Sequence, residues 1–389
     1  MITLTTTDEL AAFCARAAQA PYVTIDTEFL RERTYYAKLC LIQMALPGEG
    51  EDNAVLVDVI EGKIDLAPLY DLFRNKNVVK VLHAARQDLE IFYVDGGVLP
   101  DPLFDTQIAA MVCGYGDQAG YETLVRKIAR ASVDKSSRFT DWSRRPLSRA
   151  QKAYALADVT HLRLVYEHLA AELKRAGRTA WVAEELRVLQ EPSTYVTDPA
   201  EAWLRIKTRT ASGRFLACVR ELARFREAYA QSADVPRSRV FKDDALLELA
   251  SLRPKDPEDL SRTRLLLREA RRGEIADGIL AAVARAEACP PSDYPSPPVS
   301  RDDNGNGNKA LSDLLRVLLK ARSEESGVAQ KLLASASELD EIASGGRDVP
   351  SLSGWRAEVF GHDALRLCAG EIALQATPEG GVRVVAVSA

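Results

Sequence analysis

The sequence predicts two architectures in one chain: a mixed α/β sheet flanked by helices in the N-terminal half, then helical domains only. Three observations carry this. Strand-like apolar runs come early, at 22–29, 39–46 and 54–59, joined by short connections that point to an antiparallel start of the sheet. Strand and helix then alternate: helices near 66–74, 84–95, 105–114 and 121–131, a strand at 78–82, and a long helix from about 148 to 176. Past the proline-flanked segment Glu191–Pro199, apolar residues recur only at spacings of three and four, as in Leu216, Val219, Leu222 and Phe225.

Each element has a local cause. Thr7 and Asp8 ahead of Glu9, Leu10 and Phe13 read as a capped helix start. The apolar run Leu39–Leu46 reads as a buried strand, and Pro47-Gly48 ends it. The proline-rich stretch 289–298 and the polar, glycine-rich stretch 302–308 together read as a second linker. Helical periodicity resumes at Ala310, with Leu314, Leu315, Leu318 and Leu319. Val382–Val387 is placed to pair with Ile372–Leu374 across Pro378–Gly381.

With 389 residues, 47% of them hydrophobic and 28% charged, the chain is sized for two or three soluble domains. No apolar run reaches membrane-spanning length, and Met1–Leu4 does not read as a signal peptide. Six cysteines stand singly, which argues against a zinc knot or a disulfide framework and fits a reducing cytoplasm. Four dispersed histidines do not make a histidine metal site. A net charge of −5 leaves any nucleic-acid affinity to local patches.

The stretch Tyr22–Phe29 organises the candidate chemistry. Alternation sends Val23, Ile25, Thr27 and Phe29 to one face of a strand, and Tyr22, Thr24, Asp26 and Glu28 to the other. Two carboxylates at i and i+2 on one strand face repel each other unless a cation sits between them. A frayed strand end carrying two solvated acids is the competing reading. Asp88 falls early in the helix after the 78–82 strand, where the positive helix terminus alone would favour an acid. Tyr154 and Asp158 share a helix face at i and i+4, among the small residues Ala153, Ala155 and Ala157. His161, one turn further, either orients that carboxylate or faces solvent. Four carboxylates without cysteine form a hard oxygen site suited to Mg2+ or Mn2+. Two such ions about 4 Å apart support phosphodiester cleavage. A tyrosine with a pKa near 10 is an orienter of water and not a base.

Asp26-Thr27-Glu28, His83-Ala84-Ala85-Arg86-Gln87-Asp88 and Tyr154-x-x-x-Asp158 resemble the three exonuclease motifs of the DEDD superfamily, tyrosine branch. The flanks Phe29–Tyr36, Leu39–Gln43 and Phe104–Gln107 are similar to ribonuclease D. Ala202–Lys207, Phe225–Glu227, Asp234–Arg237 and Phe241–Asp244 resemble an HRDC domain, with Phe225 where the family often has tryptophan. A diverged second copy is indicated by Leu352–Arg356 and Phe360-Gly361.

The resemblance implies an RNase H-like catalytic domain at 1–190, an HRDC domain at 198–290, a linker at 291–308, a second HRDC-like domain at 309–375 and a tail at 376–389. It implies a 3′–5′ exoribonuclease that uses two divalent ions, Mg2+ or Mn2+, and acts on tRNA precursors and other structured RNA in the cytoplasm, with no membrane partner. Asp26, Glu28 and Asp158 would hold the ion that activates water. Asp26 would bridge to a second ion supported by Asp88, and Tyr154 would position the nucleophile. Asp105 would lie near the site but as a structural residue first, and His83 and His161 would stand behind the ligands.

Arg31, Arg33, Lys38, Arg138, Trp142, Arg144 and Arg145, with Tyr35 and Tyr36 among them, form the pattern expected of a single-strand channel. The helical half reads as binding or clamp modules. A DNA-directed exonuclease of the same branch and an inactive RNA-binding scaffold are the rival readings.

Overall fold

The structure is a computed structural model. It describes every residue except 51, 135, 136, 138, 139, 209, 211, 297–307, 388 and 389. Arg138 and most of the expected linker therefore lie outside the described residues.

The first domain is built on a six-stranded sheet of order β1-β4-β3-β2-β5-β6. The strands are β1 (Ile2–Leu4), β2 (Tyr22–Leu30), β3 (Lys38–Ala45), β4 (Ala54–Val57), β5 (Val79–Leu82) and β6 (Leu103–Asp105). β2, β3 and β4 run antiparallel to their neighbours in the series, as the short connections require. β1 adds in parallel to β4, and β5 and β6 add in parallel beyond β2. The two outer strands have only three residues each and were not expected from the sequence.

The helices are α1 (Thr7–Ala17), α2 (Ala67–Arg74), α3 (Arg86–Gly96), α4 (Thr106–Val112), α5 (Tyr121–Leu124), α6 (Arg149–Arg175) and α7 (Thr179–Gln190). The cap of α1 is Thr6, one residue before the expected position. Its hydroxyl accepts from the Glu9 amide, while the Glu9 carboxylate takes the Thr6 amide. Helix α6 starts on a second capping box, Ser148 with Gln151.

One face of the sheet carries the main core: Val23, Ile25, Ile42 and Met44 against Leu10, Leu69, Phe73, Leu89 and Phe92. Helix α6 covers the other face. Side chains of β2 reach it in order: the Tyr22 hydroxyl donates to Glu167, and the Thr24 hydroxyl donates to the Val159 carbonyl at 2.9 Å. This polar seam fixes how far α6 slides along β2.

The β2–β3 register slips between Glu28 and Phe29, whose partners are Leu41 and Leu39, leaving Cys40 without a partner on β2. Arg145 takes up the Cys40 carbonyl through Nη2 at 2.9 Å. It also grips the buried Asp58 through Nε and Nη2 at 2.6 and 2.7 Å, and bonds the Trp142 carbonyl. The bulge is thus closed by an ion pair reaching in from the loop before α6.

Residues past 200 form two further cores. One joins α8 (Gly213–Ser232), α9 (Arg237–Val240), α10 (Asp243–Leu252), α11 (Pro257–Ser261) and α12 (Gly273–Ala288). Gly278 lets α12 lie against α8, since a Cβ there would sit 2.0 Å from the Phe225 ring. The other core joins α13 (Lys309–Ser326), α14 (Gln330–Leu333), α15 (Ala336–Ala343), α16 (Gly354–Arg356), α17 (His362–Cys368) and the hairpin of β7 (Ile372–Ala376) and β8 (Val382–Ala386). The expected pairing of 382–387 with 372–374 is present. Because Val384 packs on the third core, residues 376–386 are part of that unit and not a tail.

Both helical units dock on the first domain. Tyr35, after β2, donates to Glu227, whose carboxylate also holds Arg237. Asp234 accepts from the Tyr35 and Tyr36 amides, each at 3.0 Å. On the other side Trp181 of α7 stacks on Trp355 at 4.7 Å, and Arg356 pairs with Glu185. Residues 191–199 are not a free linker, because Tyr195 is buried in the first core and donates to the Leu189 carbonyl at 2.6 Å. No helix among the described residues is long and apolar enough to cross a membrane.

Removing the Arg145 guanidinium leaves Asp58 buried and unpaired. Arg145→Ala is expected to cost about 3–5 kcal/mol by denaturant titration. Arg144→Ala, at an exposed side chain, is expected to stay within about 0.5 kcal/mol. Equal effects would contradict this account of the bulge.

Candidate metal centre

Asp26 and Glu28 project from the α6 face of β2, and Asp158 projects back from α6. One oxygen from each of the three lies within 4.8 Å of the others. The sites are partly exposed, at the open end of the seam that begins with Tyr22 and Thr24. Asp88, early in α3, comes from the opposite side of the sheet and is buried. The Thr27 hydroxyl donates to it. Thr27 sits between the two strand acids in sequence but on the other strand face, so one strand supplies two ligand candidates and the clamp for a third.

The electrostatics follow from crowding. Burial, then the charge of Asp158, raises Asp26 well above the ordinary carboxyl range, against the pull of the Thr27 amide. Burial raises Glu28 from 4.5 to about 10, helped by Asp26, Asp158 and Asp88. Burial, then Asp26, raises Asp88 as well. Hard oxygen ligands at this spacing, each disfavoured as an uncompensated anion, are what a divalent cation binds. The donor set fits such an ion.

Tyr154 is half-buried one turn before Asp158 and hydrogen-bonded to it. Burial and the nearby carboxylates push its phenol above the ordinary range, so it stays protonated at neutral pH. Its ring leans on Trp142 at 6.1 Å.

The remaining expected residues divide. Asp105 is structural: it caps α4 through the Gln107 and Ile108 amides, and also accepts from the Ala84 and Ala85 amides at 3.1 and 2.8 Å. Ala84 lies in the left-handed region at φ 54°, and those bonds hold the turn that launches α3 and Asp88. His83 Nδ1 is 3.0 Å from the Thr106 hydroxyl, and burial lowers its pKa. His161 is partly exposed. Burial and then the charge of Arg163 lower its pKa.

Two channel residues require correction. Trp142 is 2% exposed and packs with Cys40, Leu41, Leu56 and Leu147, so it offers no face to a base. Arg145 is consumed by Asp58 and three carbonyls. Arg31 is exposed but held in a two-bond fork by Glu90. Arg33 and Lys38 are exposed, and Arg144 meets Asp141 at 3.2 Å.

Sequence reasoning missed three neighbours. Besides Thr27, Tyr121 donates to the Ala157 carbonyl at 2.9 Å, beside Asp158. Gln43 stands directly across from Asp26 on β3. It is fully buried, and neither amide atom has a partner among the described residues. A polar residue inside the apolar run 39–46 was the available signal.

A family model for 3′–5′ exonucleases matches residues 1–174, and one for the HRDC domain matches residues 215–283. Ribonuclease D of Jannaschia sp. (strain CCS1) is 64% identical over 374 residues, covering 96% of this chain and 97% of that protein. Ribonuclease D of Granulibacter bethesdensis is 48% identical over 372 residues, covering 95% and 93%. The crystal structure of Escherichia coli RNase D, an exoribonuclease involved in structured RNA processing, superposes with a TM-score of 0.82 at 31% identity, covering 95% of this chain and 98% of that one.

A carboxyl whose folded pKa lies above its unfolded one binds its proton more tightly when folded. Its protonation therefore stabilises the fold, and that stability falls as pH rises from about 4.5 towards about 10. In chelator, lowering pH from about 8 to about 6 is expected to stabilise the protein more than its Glu28→Gln variant, by up to about 1.4 kcal/mol per pH unit. Identical slopes in thermal scans would refute the crowding. Gln43→Leu is expected to raise the stability of the metal-free protein by about 1–2 kcal/mol, since it removes unpaired amide groups. A loss of that size would show instead that the amide is satisfied.

Proposed function

The chain belongs to the ribonuclease D family and is a 3′–5′ exoribonuclease, and from that premise we propose that Asp26, Glu28, Asp88, Tyr154 and Asp158 carry out the hydrolysis of the terminal phosphodiester bond. The observation that carries this is the convergence of three carboxylates within 4.8 Å beside a protonated tyrosine. Asp26, Glu28 and Asp158 would hold one divalent ion, and Asp26 with Asp88 would hold a second, Mg2+ or Mn2+. Bound there, the ions supply the activation of water and the neutralisation of charge on the attacking and leaving oxygens.

The chain's own groups do the rest. Thr27 fixes the Asp88 carboxylate by a hydrogen bond. The Tyr154 phenol, still carrying its proton, orients the attacking water. The α6 seam holds Asp158 opposite β2, so the ligands are in place before substrate arrives.

We further propose that tRNA precursors and other structured RNAs with single-stranded 3′ ends are the substrates, that exposed Arg33, Lys38 and Arg144 contribute phosphate contacts, and that the reaction takes place in the cytoplasm, where six unpaired cysteines remain reduced. The division into a nuclease unit at 1–190, an HRDC unit at 198–290 and a second HRDC-like unit from 309 is supported by the three separate cores. The DNA-directed and inactive readings give way to the family assignment.

The test follows release of nucleotides from the 3′ end of a 5′-labelled tRNA precursor, alongside DNA of the same sequence. Activity is expected to vanish in chelator and to return with Mg2+ or Mn2+. Asp26→Asn and Asp158→Asn are expected to lower kcat/KM by more than about 10³-fold, which is about 4 kcal/mol of barrier. Tyr154→Phe is expected to lower kcat by about 10²-fold with KM unchanged. Full activity of Asp26→Asn, or a Tyr154→Phe effect confined to KM, would overturn these roles.

A further inference from the structure

A concave site lies along α3, the helix that carries Asp88. Arg86, Glu90 and Tyr93, at helical spacing along one face of α3, line it together with Gly97 just past the helix, and Asp88 is about 200° around the helix from Arg86. The cavity measures about 1060 Å3, large for a ligand cleft. Its other walls are the loop after β2, the segment 194–199, and Arg205, Gln231 and Arg237 of the first helical unit. Four separate parts of the chain therefore line it.

The walls are held by pairs already described. Glu90 forks Arg31, and Glu227 holds Arg237, whose guanidinium lies 5.0 Å over the Tyr35 ring. Two arginines are different. Arg86 is exposed and donates to the Thr194 carbonyl at 3.4 Å, and Arg205 is exposed and donates to the Thr197 hydroxyl at 3.4 Å. Among the described residues neither meets a carboxylate within ion-pair distance. Tyr36 and Tyr93, both partly exposed, add ring faces to the same lining.

Glu90 and Asp198 also line the cleft, and the Arg205 charge reaches Glu227. Two guanidinium groups not engaged in close ion pairs, next to aromatic side chains in an open trough, still suit a flexible polyanion with stacking bases better than a compact ligand. The trough also lies close along the chain to the acids. Arg31 on its rim follows Glu28 by three residues, at most about 11 Å of chain.

We propose that this cleft binds a single-stranded stretch of the RNA substrate upstream of the 3′ end, with Arg86 and Arg205 on phosphates and Tyr36 and Tyr93 under bases. This rests on the exoribonuclease reading. The first helical unit then acts as the outer wall of an RNA site that the nuclease domain cannot form alone.

The test uses the full chain and the variant Arg86→Glu/Arg205→Glu, with two probes: a single-stranded RNA of about 12 nucleotides and a dinucleotide. Binding of the longer RNA in chelator is expected to weaken at least about tenfold, and the slope of log affinity against log salt to shrink by about 1.4, two phosphates at about 0.7 each. Cleavage of the dinucleotide is expected to be unchanged. Unchanged affinity and slope for the longer RNA would overturn the proposal, and so would an equal loss on both probes. Loss of binding to AMP, held by the wild type as tightly as the longer RNA, would make the cleft a mononucleotide site and overturn it too. If the reversed charges unfold the chain, Arg86→Gln/Arg205→Gln must show the same reduced slope. A wild type that degrades no RNA would strike the exoribonuclease reading itself, whereas the cleft is judged by the difference between long and short probes.

Discussion

Charge crowding between β2 and α6 is the constraint on which the rest of the molecule depends. Asp26, Glu28 and Asp158 stand where each raises the cost of ionising its neighbours, in a setting that already disfavours charge. Such a cluster destabilises a fold unless cations relieve it. The chain holds it with rigid support on both faces of the sheet: Tyr22 and Thr24 lock α6 to β2, and Thr27 reaches through to Asp88 on α3. Arg145 closes the bulge beside Glu28, so the strand that bears the acids cannot relax away from them.

The helical units extend this logic outward. Each docks by aromatic and ionic contacts to an element that also shapes a working surface. The loop carrying Tyr35 and Tyr36 leaves β2 directly after the acids, and its grip by Glu227 and Asp234 makes one wall of the arginine-lined cleft. The Trp181–Trp355 stack joins the third unit to α7. Such contacts do not resemble a flexible tether. They give a framework in which RNA bound at a distance can be held in register with the metal centre.

Much of this was legible in the sequence, for identifiable reasons. The alternating strand Tyr22–Phe29 and the i, i+4 pair Tyr154 and Asp158 rest on periodicity, and the antiparallel start on short connections; both signals survive without a structure. Asp105 was ranked as structural first, and its place as the cap of α4 shows why. Failures came where periodicity is silent. β1 and β6 are too short to show alternation. Trp142 and Arg145 sit in an irregular loop, where sequence cannot tell an exposed aromatic-basic pattern from a buried ion pair under a tryptophan. Arg86 and Arg205 were read only as members of separate motifs, because they come to one cleft only when α3 meets the first helical unit. Thr27 was assigned to the right face, but its partner on α3 depended on how the helix crosses the sheet.

The central claim is that these side chains form a cation site, and the direct measurement is anomalous scattering from crystals of the full chain soaked in Mn2+. The account predicts a peak ligated by Asp26, Glu28 and Asp158, and a second against Asp26 and Asp88. Saturated crystals with no peak among these carboxylates, or with Mn2+ bound only elsewhere, would contradict it.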